Sequence, residues 1–231
     1  MKIHIGFCVY LFAYMNITVP MVLNTTPDQQ ARLQALQRAF AQVCNALGPL
    51  VQANRCWNRV ALHHLAYRQL RERFPEVGSQ MVCNAIYSVS RAARLVYQHP
   101  QSPFNVGRGG GVQSALPLLQ FLPAAPVFFD RHTLSMKQNQ LSMYTLDGRM
   151  RFQLTLPADQ VALFEQSRLR EVVLSSRPDG QFVLTFMLTD AAAGEVADGP
   201  EAAELPLTQG GDELGAAVLP WPSYLKVEET T

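Results

Sequence analysis

Residues 133–156, TLSMKQNQLSMYTLDGRMRFQLTL, decide the fold class of this chain. In the last third of the stretch Met150, Phe152, Leu154 and Leu156 alternate with Arg149, Arg151, Gln153 and Thr155. Successive side chains of a strand point to opposite faces, so the arginines share one face and the apolar residues the other. Asp147-Gly148 is a turn signal, and residues 133–146 before it read as one strand. Outward from there the same period marks VFF (127–129), REVVLSS (170–176) and QFVLTFMLT (181–189). Asp179-Gly180 predicts a tight hairpin between the last two. Pro157-Ala158-Asp159 opens a short helical turn through Phe164. Near the start of the chain, NITVPMVLN (16–24) is short, β-branched and apolar, and reads as one more strand. The chain is therefore α+β: a small antiparallel sheet or barrel built from residues 16–25 and 127–190.

Residues 26–100 interrupt it as a three-helix insertion. Thr26 can cap a helix, Pro27 suits its first position, and Gln29 completes a capping box. Leu33, Leu36, Phe40, Val43 and Leu47 follow at steps of three and four, one apolar face, and Gly48-Pro49 is read as the stop. A second helix is predicted from 51 to 73, with Trp57, Val60, His64 and Tyr67 on one side and Arg55, Arg59 and His63 on another. Arg68, Arg71 and Arg73 crowd its C-terminal end, where cations favour the helix dipole. A third helix is predicted over 80–98, capped by Ser79, with Val82, Ile86, Val89, Ala93 and Val96 as its core stripe. Its opposite stripe is Gln80, Asn84, Tyr87, Arg91, Arg94 and Gln98, which holds donors, cations and an aromatic but no acid. Such a stripe is either a solvated helix face or a surface that follows a phosphate backbone.

Residues 101–126 are loop-like, with Gly107 to Gly111 interrupted only by Arg108, and read as a linker. After Asp190 the pattern dissolves into Ala, Gly and acid, so residues 191–231 read as a disordered acidic tail. Its last stretch, with Trp221, Tyr224 and Leu225, is either a docking element or arbitrary sequence. Residues 1–15 leave three readings open. They are a signal-like segment, an extra strand, or an extension upstream of a misassigned start, since Met15 begins MNITVPMVLN. The apolar run 3–14 is too short to span a bilayer as a helix, which takes about 20 residues.

The chain has 231 residues and a formal charge of +1, with 48% hydrophobic and 16% charged residues. That composition excludes a wholly disordered or collagen-like chain. The near-zero total hides a split. Residues 1–190 hold 18 Lys/Arg against 10 Asp/Glu, a net of +8, and residues 191–231 hold one Lys against eight acids, a net of −7. A basic body of this kind suits a polyanion. Arg outnumbers Lys 16 to 3, which fits bidentate phosphate contacts and also a high-GC genome. The cysteines, Cys8, Cys44, Cys56 and Cys83, have no CxxC spacing, and the last three read as free thiols of helices. That pattern fits a reducing compartment and a cytoplasmic location.

Catalytic motifs are wanting. There is no Gly-x-Ser-x-Gly, no His-Glu-x-x-His, no dinucleotide fingerprint and no P-loop. His63 and His64 are adjacent, so on a helix they diverge, and Ser79 has no evident base. No catalytic residue, metal site or cofactor is expected.

Three segments, in order, resemble the N-terminal half of TnpB, the RNA-guided transposon nuclease related to type V CRISPR effectors. In VLNTTPDQQARLQALQRAFAQVCNAL, Thr26, Gln29 and Asn45 match; in FPEVGSQMVCNAIYSVSRAAR, Ser79, Gln80 and Arg91 match. In FDRHTLSMKQNQLSMYTLDGRMRFQL the matches are Asp130, Arg131, Thr133, Ser135, Thr145, Gly148 and Arg149. The resemblance covers residues 16–189. It implies that the barrel is a wedge-like, OB-like domain and that the helices are a recognition lobe. In that family the two together grip a guide RNA, its heteroduplex and a short DNA motif. The departure concerns chemistry. TFMLTD leads into AAAGEVADGP with no Asp-x-Gly strand, no later carboxylates of a RuvC-like set and no CxxC ribbon. Two-metal cleavage needs several carboxylates holding metals about 4 Å apart, so this chain alone is expected not to cut.

The expected function is a nuclease-less, TnpB-like nucleic-acid-binding protein that holds a structured guide-type RNA, and through it DNA, outside any membrane. The expected contacts are Arg55, Arg59, Gln80, Asn84, Tyr87, Arg91, Arg94, Lys137, Arg149 and Arg151. Two alternatives stand. One is a split or truncated transposon nuclease that needs a separate catalytic chain. The other is a protein-interaction module with no nucleic-acid role.

Overall fold

The computed structural model describes residues 17–107, 115–137, 139–190 and 221–229. The readings of residues 1–15, most of the glycine run at 107–111 and residues 191–220 of the expected tail lie outside them.

Strand β1 (Ile17–Val22) leads into helix α1 (Pro27–Asn54). Thr26 Oγ1 accepts from the Gln29 N–H at 3.2 Å and Gln29 Oε1 accepts from the Thr26 N–H at 3.0 Å, the reciprocal capping box that the sequence predicts. Leu33, Leu36, Phe40, Val43 and Leu47 are all buried. The expected stop at Gly48-Pro49 is not one, because α1 continues through Pro49 to Asn54. Gly48 serves close packing instead: a Cβ there would lie 2.7 Å from the Leu119 carbonyl oxygen. The helix ends at Arg55, in the left-handed region at φ 48°, ψ 39°.

Helix α2 (Arg59–Arg73) therefore starts later than expected, behind Asn58, whose Oδ1 accepts from the Val60 and Ala61 N–H groups. The cap fixes the phase of the helix. It buries Leu62, Ala66 and Leu70, and leaves Val60 62% exposed and His64 in solvent. Neither of the two sides marked out in the sequence is the buried one. Trp57 precedes the helix and packs on Tyr97, ring centroids 5.3 Å apart. Helix α3 (Ser79–Gln98) is capped by the backbone of Gly78, with Ser79 already inside it. Its core stripe is buried as predicted.

The strands form three antiparallel sheets. Residues 101–126 are more than a linker, since they contain β2 (Leu118–Phe121). Next come β3 (Val127–Phe129), β4 (Leu134–Lys137), β5 (Gln140–Thr145) and β6 (Gly148–Gln153). The expected single strand at 133–146 is a hairpin, β4–β5, turned at Asn139 in a left-handed conformation of φ 61°. Helix α4 (Ala158–Gln166) precedes β7 (Ser167–Ser176) and β8 (Phe182–Asp190), joined at Gly180, which has φ 83°. The end of the expected tail is ordered, because β9 (Leu225–Glu228) pairs with β2 and buries Leu225.

One sheet runs β1-β8-β7-β3, another β4-β5-β6, and β2-β9 is the third. None of them closes, so the barrel, OB-like or wedge-like, is not formed. The edges show why. β1 carries Pro20, a residue confined to edge strands and bulges. At the opposite edge, β3 is only three residues long, and the Phe128 carbonyl accepts from Asn84 of α3 at 2.9 Å. A helix covers the edge where the next strand would have to pair. Side chains of α1, α2, α3 and all three sheets fill one hydrophobic core.

Candidate nucleic-acid interface

The first four residues of the polar stripe of α3, Gln80 to Arg91, face inward, while Gln98 at its end is exposed. Gln80 donates to Asp130 Oδ2, and Asn84, 6% exposed, to the Phe128 carbonyl. Arg91 Nη1 donates to Glu171 Oε1 and Oε2 at 2.9 and 3.0 Å, and to the Tyr87 hydroxyl at 3.1 Å. The Arg91 and Glu171 side chains are 12% and 13% exposed. The guanidinium also lies over the Tyr87 and Phe128 rings, 5.2 and 5.4 Å from their centroids. Gln80, Asn84, Tyr87 and Arg91 therefore dock the helix on the β3–β7 sheet. This face is neither solvated nor open to a phosphate backbone.

A register shift in β7 makes the docking work. Leu169 pairs with Leu188 and Glu171 with Met187, so Arg170 is the extra residue of a bulge. The extra residue moves Glu171 off the face it would share with Leu169 in an unbroken strand and onto the face of Val173 and Phe128, toward α3. Burial pushes the Glu171 carboxyl up from the ordinary value near 4.5, and Arg91 opposes it. The Tyr87 hydroxyl is pushed up as well, by burial and then by Glu171.

The remaining helical candidates are scattered. Arg55 sits on the α1–α2 connection, out of line with Arg59 and His63. Arg59 is half-buried, its guanidinium 5.2 Å from the Tyr87 centroid. Arg94 is half-exposed on α3.

Lys137, Arg149 and Arg151, by contrast, come together. In the β4-β5-β6 sheet Leu134, Leu141, Met143, Met150 and Phe152 point into the core. The alternate positions form the outer face, where Tyr144 pairs with Arg149, Ser142 with Arg151 and Ser135, and Gln140 with Gln153 and Lys137. Lys137, Tyr144, Arg149 and Arg151 are all exposed. The Arg149 guanidinium lies 4.1 Å from the Tyr144 ring centroid, and its Nη1 donates to Ser142 Oγ at 3.2 Å. None of these outer positions is a carboxylate. The nearest acid in sequence, Asp147 in the β5–β6 turn, faces Arg32 of α1 at 3.6 Å.

Tyr144 and Glu171 are the residues that sequence reading missed. Tyr144 was findable, because it lies two residues past Ser142 and out of phase with Leu141 and Met143. Glu171 gave no such sign, since a bulge is invisible in the alternation of REVVLSS.

Among the described residues no group of three His, Cys, Asp or Glu is placed to hold a metal, and no helix is long and apolar enough to cross a membrane. Cys44, Cys56 and Cys83 are free thiols, Cys44 fully buried and the other two partly so. No protein-family model matches the chain, and none of the curated proteins is detectably similar to it.

Proposed function

We propose that this chain is a nucleic-acid-binding protein that holds a structured, guide-type RNA on the outer face of β4-β5-β6 and does not cut it. One observation carries the reading. Three of the ten expected contacts, Lys137, Arg149 and Arg151, share a single exposed sheet face with an aromatic side chain and no carboxylate. Arg149 is held by a hydroxyl and a ring, neither of which neutralises it. Its charge is available to a phosphate. The helix stripe contributes by fixing α3 to the sheet and leaves the contact to the strands.

The guide-type character and the reach to DNA through base pairing rest on the TnpB-like sequence segments. In RNA-guided systems pairing reads sequence while the protein reads shape and backbone. The reading of no cleavage by these residues rests on TFMLTD running into AAAGEVADGP in place of an Asp-x-Gly strand. A split nuclease would place that strand in a second chain.

The test is RNA that copurifies with the native protein, followed by salt titration of its binding. The Arg149→Ala/Arg151→Ala double variant should bind more weakly, with a salt slope flattened by about 0.7–0.9 per lost contact. Unchanged affinity and slope in that variant would remove this face from the function. A second reading, a protein-docking module, draws on the exposed apolar side chains Val60 and Leu65 of α2. It takes over if the wild-type chain binds neither RNA nor DNA.

A further inference from the structure

We infer that the segment held on the β4-β5-β6 face is unpaired, a single strand whose bases stack over the Tyr144–Arg149 pair. The inference rests on the nucleic-acid reading above and adds the form of the ligand.

Tyr144 lies outside the hydrophobic core and packs against Arg149 on the outer face. Its strand neighbours Leu141 and Met143 are fully buried, while Tyr144 stays 42% exposed. A large aromatic left in solvent beside a guanidinium 4.1 Å from its centroid is a planar platform in a positive field. Such a platform has a ligand only where a base shows its π face, and in a duplex the faces are stacked on one another. Unpaired bases stack on aromatic rings and on guanidinium planes, with little regard to sequence.

The shape agrees. Three strands about 4.8 Å apart make a face roughly 10 Å across. It is backed along its length by the core residues of the same strands, so it is a surface to lie on. A duplex groove is entered by a helix or a two-stranded ribbon that stands clear of the protein. Arg151 lies one cross-strand row beyond the platform and Lys137 two rows beyond it on the same side, a line of cations for successive phosphates, and the side-chain amides of Gln140 and Gln153 offer donors and acceptors to base edges.

The experiment is fluorescence anisotropy of the full chain with three labelled probes of about 12 nucleotides, within the site sizes of single-strand binders. They are oligo-uridine, oligo-deoxythymidine and a mixed-sequence duplex. Both single strands should bind more tightly than the duplex, and the tighter of the two identifies the sugar that the face prefers. Tyr144→Ala should weaken single-strand binding roughly 5- to 150-fold, the usual worth of one stacked base. Tyr144→Phe should retain it, and duplex binding should not respond to either change. An unchanged thermal midpoint separates these effects from misfolding. If the duplex binds as well as the single strands and Tyr144→Ala changes nothing, the inference falls. If Arg149→Ala/Arg151→Ala still weakens every probe in that case, the function stands without it. If the double variant binds all probes like the wild type, the function falls too.

Discussion

Arg91 and Glu171 face each other across the junction of α3 and β7, with one guanidinium nitrogen 2.9 and 3.0 Å from the two carboxylate oxygens. Eighty residues separate them in sequence. The pair, with Tyr87 and Phe128 around it, is the polar centre of the contact between helices and sheet.

Arg91→Ala should destabilise the fold by about 2–4 kcal/mol, because it strands a mostly buried carboxylate. The thermal midpoint should drop by roughly 5–15 °C. Arg94→Ala, one turn on and half-exposed, should move it little. Equal midpoints for the two variants would show that the ion pair holds nothing together.

The same pair sets a dependence on pH. Burial raises the folded-state Glu171 carboxyl above its unfolded value of about 4.5, so the folded state binds the proton more tightly. Its contribution to stability is fully present below the unfolded value and is lost as pH rises through the folded one. Urea midpoints should carry a falling component from about pH 4.5 upward. In Glu171→Gln that component should vanish. In Arg91→Ala it should grow and extend to higher pH, since the opposing cation is gone. A Glu171→Gln profile parallel to wild type would refute the assignment.

Gly48→Ala should cost about 1–3 kcal/mol, since its Cβ would meet the Leu119 carbonyl at 2.7 Å and a backbone oxygen has no rotamer to escape into. Asn45, one turn earlier, holds the same strand. Its Nδ2 donates to the Phe121 carbonyl at 2.9 Å and its Oδ1 accepts the Phe121 N–H at 2.6 Å. Asn45→Ala should therefore loosen β2 and its partner β9 together. Hydrogen exchange should then speed up at Gln120 and Lys226, whose N–H groups face each other across the β2–β9 pair, with α3 amides unaffected; uniform protection would argue otherwise.

At Arg55 the effect lies in the backbone. A non-glycine residue at φ 48° is strained, so Arg55→Gly should be more stable than Arg55→Ala by about 1 kcal/mol. Comparing the two variants with each other removes the loss of the arginine side chain from the balance. Urea denaturation of both is sufficient.

Sequence periodicity located most of this architecture. The capping box at Thr26, the core stripe of α3 and the alternation in β6 each arise from neighbours a few residues apart, and each is present in the fold. Two failures are local, the Asn139 hairpin and the Asn58 cap; the others involve partners far along the chain. Gly48-Pro49 looks like a stop until β2 is seen packed against it. Leu118–Phe121 looks like a linker until β9 pairs with it. The α3 stripe looks solvated until the Arg170 bulge presents Glu171 to it. Of the candidate face, Arg149 and Arg151 were legible because one strand pattern aligns them, whereas Lys137 joins them only through the β4–β5 hairpin. The helical candidates were not, because a donor-rich helix face has the same sequence whether it meets water, phosphate or a sheet.

The β2–β9 pairing also has a consequence in time. Phe121 and its partner Leu225 lie 104 residues apart, and a ribosome adds about 5–20 residues per second. For roughly 5–20 s of synthesis, β2 has one edge held by Asn45 and the other bare. A nascent chain in that interval displays an unclaimed strand edge, which is the kind of surface that folding helpers bind and that neighbouring nascent chains can invade.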